Sequence, residues 1–177
     1  MKKLLLVSLL FVTSMSIAAS SAIFAKLHQA NAPTPSAILQ KIENEYSNKA
    51  VIVEFELEFE KGNTTYEVTL YQASSARFIE LLVDQNGSLI ELEYNAPELD
   101  EQEEIAAAEL MRHKGYTMQG LVRKMHDPAH QYLIEAQLEQ DMGVTYMVAT
   151  FITAQGRHKK AIDLATGKDL PLLRWGN

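Results

Sequence analysis

The sequence predicts an α+β protein of two tandem units, each a helix packed on an antiparallel sheet of three to four strands, joined by a linker helix. Three observations carry this. In VIVEFELEFE (51–60), apolar and acidic residues alternate from Val53 to Glu60, and a period of two marks a strand with one buried face. The order helix, strand, strand, strand occurs twice, about 80 residues apart. Each copy also closes a strand with an Asp-to-Gly turn, DQNG at 84–87 and DLATG at 163–167. Two copies are too few for a solenoid, so the units must share or abut their sheets.

The elements follow in order. Thr34-Pro35 opens a helix, Thr as cap and Pro at the first helical position. Ile38, Leu39, Ile42 and Tyr46 continue it at helical spacing, to an end near Asn48. Strand 51–60 then sets Val51, Val53, Phe55, Leu57 and Phe59 against Glu54, Glu56, Glu58 and Glu60. Lys61-Gly62-Asn63 turns the chain into strand 64–72, and strands 77–84 and 88–94 complete the first unit. Asn95-Ala96-Pro97 breaks the pattern. Asp100, with Glu103 three residues on, predicts a capping box for a second helix carrying Ile105, Ala108, Met111 and Arg112 on one side. Lys114-Gly115 stops it. Thr117 caps a short third helix with Met118, Leu121, Val122 and Met125, ended by Asp127-Pro128. Strands 132–139, 144–152, 156–163 and 169–173 finish the chain. The organisation is thus a signal peptide at 1–25, a tether at 26–33, one unit at 34–94, a linker helix within 95–115 and a second unit at 116–173.

The N-terminus reads as an export signal. Lys2 and Lys3 precede the apolar stretch 4–19, and small residues follow at Ser20, Ser21 and Ala22. Cleavage after Ala19, Ala22 or Ala25 fits equally. No Cys follows, so the lipoprotein route is closed and the expected location is periplasmic or secreted; an uncleaved signal is the one way to a membrane. The full chain has a net charge of −7. Without Lys2 and Lys3 it holds 14 basic and 23 acidic side chains, a net of −9. That charge disfavours nucleic acid and anionic lipid. With no cysteine in an exported chain, neither disulfides nor thiol chemistry are available, and the core alone must hold the fold.

The second copy (GYTMQGLVRKM, YLIEAQLE, GVTYMVATF, KKAIDLATGKDLP) and the looser first copy (AILQKIENEY, VIVEFELEFE, TTYEVTLY, RFIELLVDQNGSLIELE) resemble the PepSY domain. The repeat-defining positions are Tyr66, Asp84 and Gly87 in the first copy, and Tyr146, Asp163 and Gly167 in the second. Asp84 follows Tyr66 by 18 residues and Asp163 follows Tyr146 by 17. The resemblance spans about 34–171. It implies a small exported or tethered module with a helix across an antiparallel sheet. It also implies a regulatory role, inhibiting or modulating a peptidase or a sensor of the envelope. The family supplies no catalytic residues to carry over.

The candidate chemistry is sparse. Glu54, Glu56 and Glu58 share a strand face with spacing near 7 Å, and Glu135 occupies the same kind of position in the second copy. A solvated sheet face explains them first, a docking surface for a basic partner second. Arg157, His158, Lys159 and Lys160 form a lone basic run, suited to an exposed strand or to seating an acidic group. The binding surface expected from sequence is Glu54, Glu56, Glu58 and Glu135 with Arg157, Lys159 and Lys160. Asp84 and Asp163 read as turn formers; DQNG lacks the later ligands of a calcium loop. His113, His126, His130 and His158 gather with methionines in the second copy, and imidazole plus sulfur suits copper. A small periplasmic metal-binding protein using Met125, His126 and His130 is therefore the alternative function. HExxH, GxSxG and phosphate-loop motifs are missing. The expectation is a non-catalytic binding module without cofactor, acting on an envelope protein.

Overall fold

The computed structural model describes residues 17–29, 31–60 and 63–171. The elements are α1 (Ile17–Gln29), α2 (Pro35–Tyr46), β1 (Val51–Glu60), β2 (Asn63–Gln72), β3 (Arg77–Asp84), β4 (Leu89–Asn95), a 3-10 turn (Leu99–Glu101), α3 (Gln102–Lys114), α4 (Met118–Met125), β5 (Tyr132–Asp141), β6 (Val144–Thr153), β7 (Gly156–Asp163) and β8 (Asp169–Leu170). The architecture is α+β. The two units do not keep separate sheets. All eight strands join in the order β4-β3-β2-β1-β5-β6-β7-β8, every neighbouring pair antiparallel.

The seam lies between β1 and β5. It pairs Glu54 with Gln137, Phe55 with Ala136 and Glu56 with Glu135. Each seam strand carries an irregularity against its other neighbour, at Val53 facing β2 and at Ile134 facing β6. These two positions are 81 residues apart, and a shift of 81 turns each seam pair into another seam pair. A pseudo-two-fold axis therefore passes through the Phe55–Ala136 pair. An extra residue on one strand locally bends and twists it, and the same device at the same place in both copies argues for internal duplication.

That axis corrects the repeat assignment made from sequence. Thr65 pairs with Asp84, and Tyr146 pairs with Asp163. Thr65 is thus the counterpart of Tyr146, and the Y-x-V match is one residue out. Tyr66 is buried against Phe55, ring centroids 5.4 Å apart. Tyr146 points to the opposite face, where its hydroxyl donates to Glu139 at 2.5 Å. A one-residue slip moves a strand side chain to the other face. The two Asp turns do correspond. Asp84 Oδ1 accepts from the backbone N–H of Asn86 and Ser88, and Asp163 Oδ1 from those of Ala165 and Thr166. Gly87 and Gly167 each close the turn at positive φ, 71° and 68°.

The core lies between the sheet and the helices. Phe55, Tyr66, Val68, Leu70, Leu133, Ala136, Met147, Ala149 and Phe151 are buried with Ile38, Leu39 and Ile42 of α2 and Met118, Leu121, Val122 and Met125 of α4. Helix α2 runs over the seam, touching β1, β5 and α4. Thr34 caps it through Ala37 N–H and Thr117 caps α4 through Gly120 N–H, as the sequence indicates. Helix α3 lies along β1 and β5 and buries Ala107, Ala108 and Met111. Of its expected inner side, Ala108 and Met111 are buried and Ile105 packs against the core, but Arg112 is exposed in an ion pair with Glu109. The capping box sits two residues earlier than expected. The Glu101 carboxylate accepts from Glu98 N–H at 2.5 Å. A tight turn right after Pro97 uses up residues 99–101 and delays α3 to Gln102. Gly115 ends α3 at φ 66°.

Two further expectations change. The segment 26–33 is not all tether, because α1 continues to Gln29 and lies against β6 and β7. Of the last strand expected at 169–173, Asp169–Leu170 pairs with β7 and Pro171 is not in the strand. Residues 1–16 of the expected signal peptide, the Lys61-Gly62 part of the expected turn and residues 172–173 of the expected last strand fall outside the described residues. No helix among those described is long and apolar enough to cross a membrane.

Phe55 is fully buried on the axis that joins both units. Phe55→Ala should cost about 3 to 5 kcal/mol, and melting followed by circular dichroism and calorimetry should stay a single transition. Two separate transitions in the wild type would mean that the units unfold independently.

Candidate binding face

The sheet has a second face, turned away from α2 and α4. Strand register builds it. Glu67 pairs with Glu56, Glu56 with Glu135, Glu135 with Thr150, and Thr150 with Lys159. These five side chains form one row across five strands. On one side of the row stand Glu54 and Gln137, continued by Val148 and Ala161; on the other stand Ile152 and Arg157. The duplication and the seam thus bring Glu54, Glu56 and Glu135 together from strands distant in sequence. Glu58 follows Glu56 on the same face and is exposed.

Burial and then crowding raise the proton affinity of Glu54, Glu56 and Glu67. Burial, then the charges of Glu56, Glu104, Glu135 and Glu67, push Glu54 up to about 7. Burial and the neighbours Glu135, Glu58 and Glu67 raise Glu56, with Arg157 opposing. Glu67 is raised by burial and by Glu58 and Glu80. Glu135 has local help: Thr150 Oγ1 donates to it at 2.7 Å, and Lys159 Nζ stands 3.9 Å away. The row therefore runs from strongly acidic over the first unit to mixed charge over the second.

The basic run does not form one surface. Strand alternation leaves Arg157 and Lys159 on the charged face and sends His158 and Lys160 to the helix side. Lys160 Nζ donates to Met125 O at 2.5 Å and lies 5.6 Å over the Phe151 ring. His158 stacks on Phe151 at 5.8 Å, and burial with the Lys160 charge lowers its pKa. Lys160 is therefore removed from the expected binding surface.

An apolar strip beside the row went unrecognised in the sequence. Val148, Ile152 and Ala161 share the face of Thr150, and all are buried. They lie outside the main core cluster, as does the buried Ile134. Helix α1 lies against these strands. Its Phe24 ring is 5.5 Å from that of Tyr132, and His28 Nδ1 is 3.1 Å from the Tyr132 hydroxyl. The signal was available: VTYMVATFI is apolar at both odd and even places over its second half, the pattern of a strand covered on both faces.

The candidate metal residues are engaged otherwise. His126 Nε2 donates to Gln131 O at 2.8 Å, its ring stacked on Phe151 at 5.4 Å. His130 Nδ1 meets Asp127 at 2.9 Å in an exposed pair, and Met125 is core. Among the described residues, no three His, Asp or Glu side chains are grouped to hold an ion.

No family model matches this chain. No curated protein matches it. Among solved structures it is similar to a candidate lipoprotein from Clostridium difficile 630, at 14% identity and a TM-score of 0.42, over 82% of this chain and 95% of that one.

Glu54 makes the pH dependence specific. A carboxyl whose pKa rises on folding binds more protons folded than unfolded, so its contribution is best at low pH and is lost as pH climbs from about 4.5 through 7. Glu54→Gln should be more stable than wild type by about 1 to 2 kcal/mol in mildly alkaline buffer and equal to it in acid. Urea melts at the two pH values check this; a constant difference would show that folding does not raise the pKa of Glu54.

Proposed function

We propose that this protein is an exported, non-catalytic binding module of the PepSY type that docks on a peptidase or a sensor protein of the cell envelope. The observation that carries the reading is the open sheet face, where an acidic row and an apolar strip lie side by side with α1 resting on the strip. Protein interfaces combine an apolar centre with a polar, charged rim, and this face has both. Removal of a signal peptide after Ala25 takes away Ile23 and Phe24, both half-buried here. The processed chain then offers Val148, Ile152 and Ala161 beside Glu56, Glu135 and Lys159. Repelled carboxylates on a folded surface favour a partner that brings basic groups to them.

The test uses residues 26–177 as bait in envelope extract, next to Glu56→Lys/Glu135→Lys and Val148→Asp baits, with the bound proteins identified and the melting of each bait recorded. The expected outcome is a stoichiometric partner held by the wild type and lost by both variants at unchanged secondary structure. A partner kept equally by all three baits would sink this face as the interface. An empty wild-type eluate would sink the protein-partner reading.

A further inference from the structure

On the helix side of the sheet, the first turns of α2, helix α4 and the loop after it enclose a cleft of about 420 Å³, within the size range of small-ligand sites. Two of its lining groups are unexplained by the fold. Gln119 is 6% exposed, and its side-chain oxygen has no hydrogen-bond partner among the described residues. Ser36 Oγ, across the cleft on α2, is also buried without one. A buried polar atom left unpaired costs about 1 to 3 kcal/mol, and such atoms are few in native folds. The backbone N–H of Gln119 is already taken by Glu43 at 3.3 Å, so the side chain is not required to cap α4.

The rest of the lining defines what would satisfy them. An amide oxygen accepts only, so the occupant must present an N–H or O–H donor. Arg123 follows Gln119 by four residues on α4, which places the two on one face about one turn apart. Arg123 calls for an anion, and a carboxylate suits its fork of donors. None of the ten lining residues is acidic, although the chain as a whole is. Glu43, which feels the Arg123 charge, is bonded to the N–H groups of Met118 and Gln119 and is not part of the lining. Ala37, Pro128 and the Tyr132 ring supply an apolar wall.

A donor, a carboxylate one residue away and an apolar group between them describe the end of a polypeptide. We infer that this cleft binds the free carboxyl terminus of a peptide whose last side chain is apolar. The terminal carboxylate pairs with Arg123. The last backbone N–H donates to Gln119 Oε1. The last side chain rests on Ala37, Pro128 and Tyr132. Capture of a chain terminus is a recurrent recognition mode, and here it is independent of the acidic row on the other face.

The experiment is an amide-resolved NMR titration of the full chain with acetyl-alanyl-leucine. Its carboxamide and hexanoate, which carries a carboxylate and no N–H, serve as comparisons. The peptide should give saturable shifts at Ser36, Gln119 and Arg123. Both comparison compounds should bind about tenfold more weakly, the loss of one charge-assisted or buried hydrogen bond. Arg123→Gln should weaken the peptide by a similar factor. Gln119→Leu should raise the melting temperature, because it removes the unpaired oxygen, while weakening the peptide to the level of hexanoate. Equal binding of acid and carboxamide overturns the inference. So does the absence of saturation at millimolar peptide, or unchanged binding by the Gln119→Leu variant despite its higher melting temperature. Hexanoate binding as tightly as the peptide would reassign the cleft to simple apolar carboxylates.

Discussion

Everything in this molecule hangs on three residue pairs at the seam of β1 and β5. Without them there are two small units, each with a short sheet and a single helix, and small units bury too little surface to be stable alone. With them α2 can lie over strands of both units, and Phe55 and Ala136 can meet on the axis. The small residue opposite the large one is what allows this. An aromatic ring at 136 would compete with Phe55 for the same space.

The same pairing creates the electrostatic problem of the open face. An axis through Phe55 and Ala136 sets Glu56 opposite Glu135, and like charges directly across a ladder are unfavourable. The second unit offsets this in part with Gln137 in place of a carboxylate, Thr150 donating to Glu135, and Lys159 next in line. Over the first unit the crowding stands, and Glu54 holds its proton to about 7. Strain left in place on a face that nothing in the core needs is the physical ground for reading that face as a surface of contact.

Most local structure was legible because it rests on local rules. Thr34-Pro35, Thr117, Gly115 and the two Asp turns act within a few residues, and strands 51–60 and 77–84 announce themselves by alternation. What escaped depended on pairing across the chain. Alternation with Val68 and Leu70 puts Tyr66 on the apolar face, but around Tyr146 apolar residues stand at both odd and even places, and only the partner Asp163 shows its face. The basic run 157–160 looks continuous in one dimension and is divided by the pleat in three. Of the expected surface, Glu54, Glu56, Glu58, Glu135, Arg157 and Lys159 share one face, but Lys160 does not. The apolar strip under α1 escaped because VTYMVATFI reads simply as a strand, while its two apolar faces serve two separate clusters. Gln119 gave no signal at all, since an unpaired buried amide is a property of packing and not of sequence.

The sheet is unequal at its two ends. β8 is a stub of two residues, while β4 runs for seven and leaves Leu89, Ile90 and Tyr94 uncovered. An open strand edge is a template for another strand; β4 is open along its length, while β7, open over Gly156–Lys160 where β8 does not reach, carries Arg157, His158, Lys159 and Lys160 there, charges that discourage such pairing. A body with one adhesive edge can join one copy of itself and then has nothing left to offer. Edge association therefore stops at a closed pair and cannot propagate into a fibre, a safeguard that eight strands with two long edges would lack.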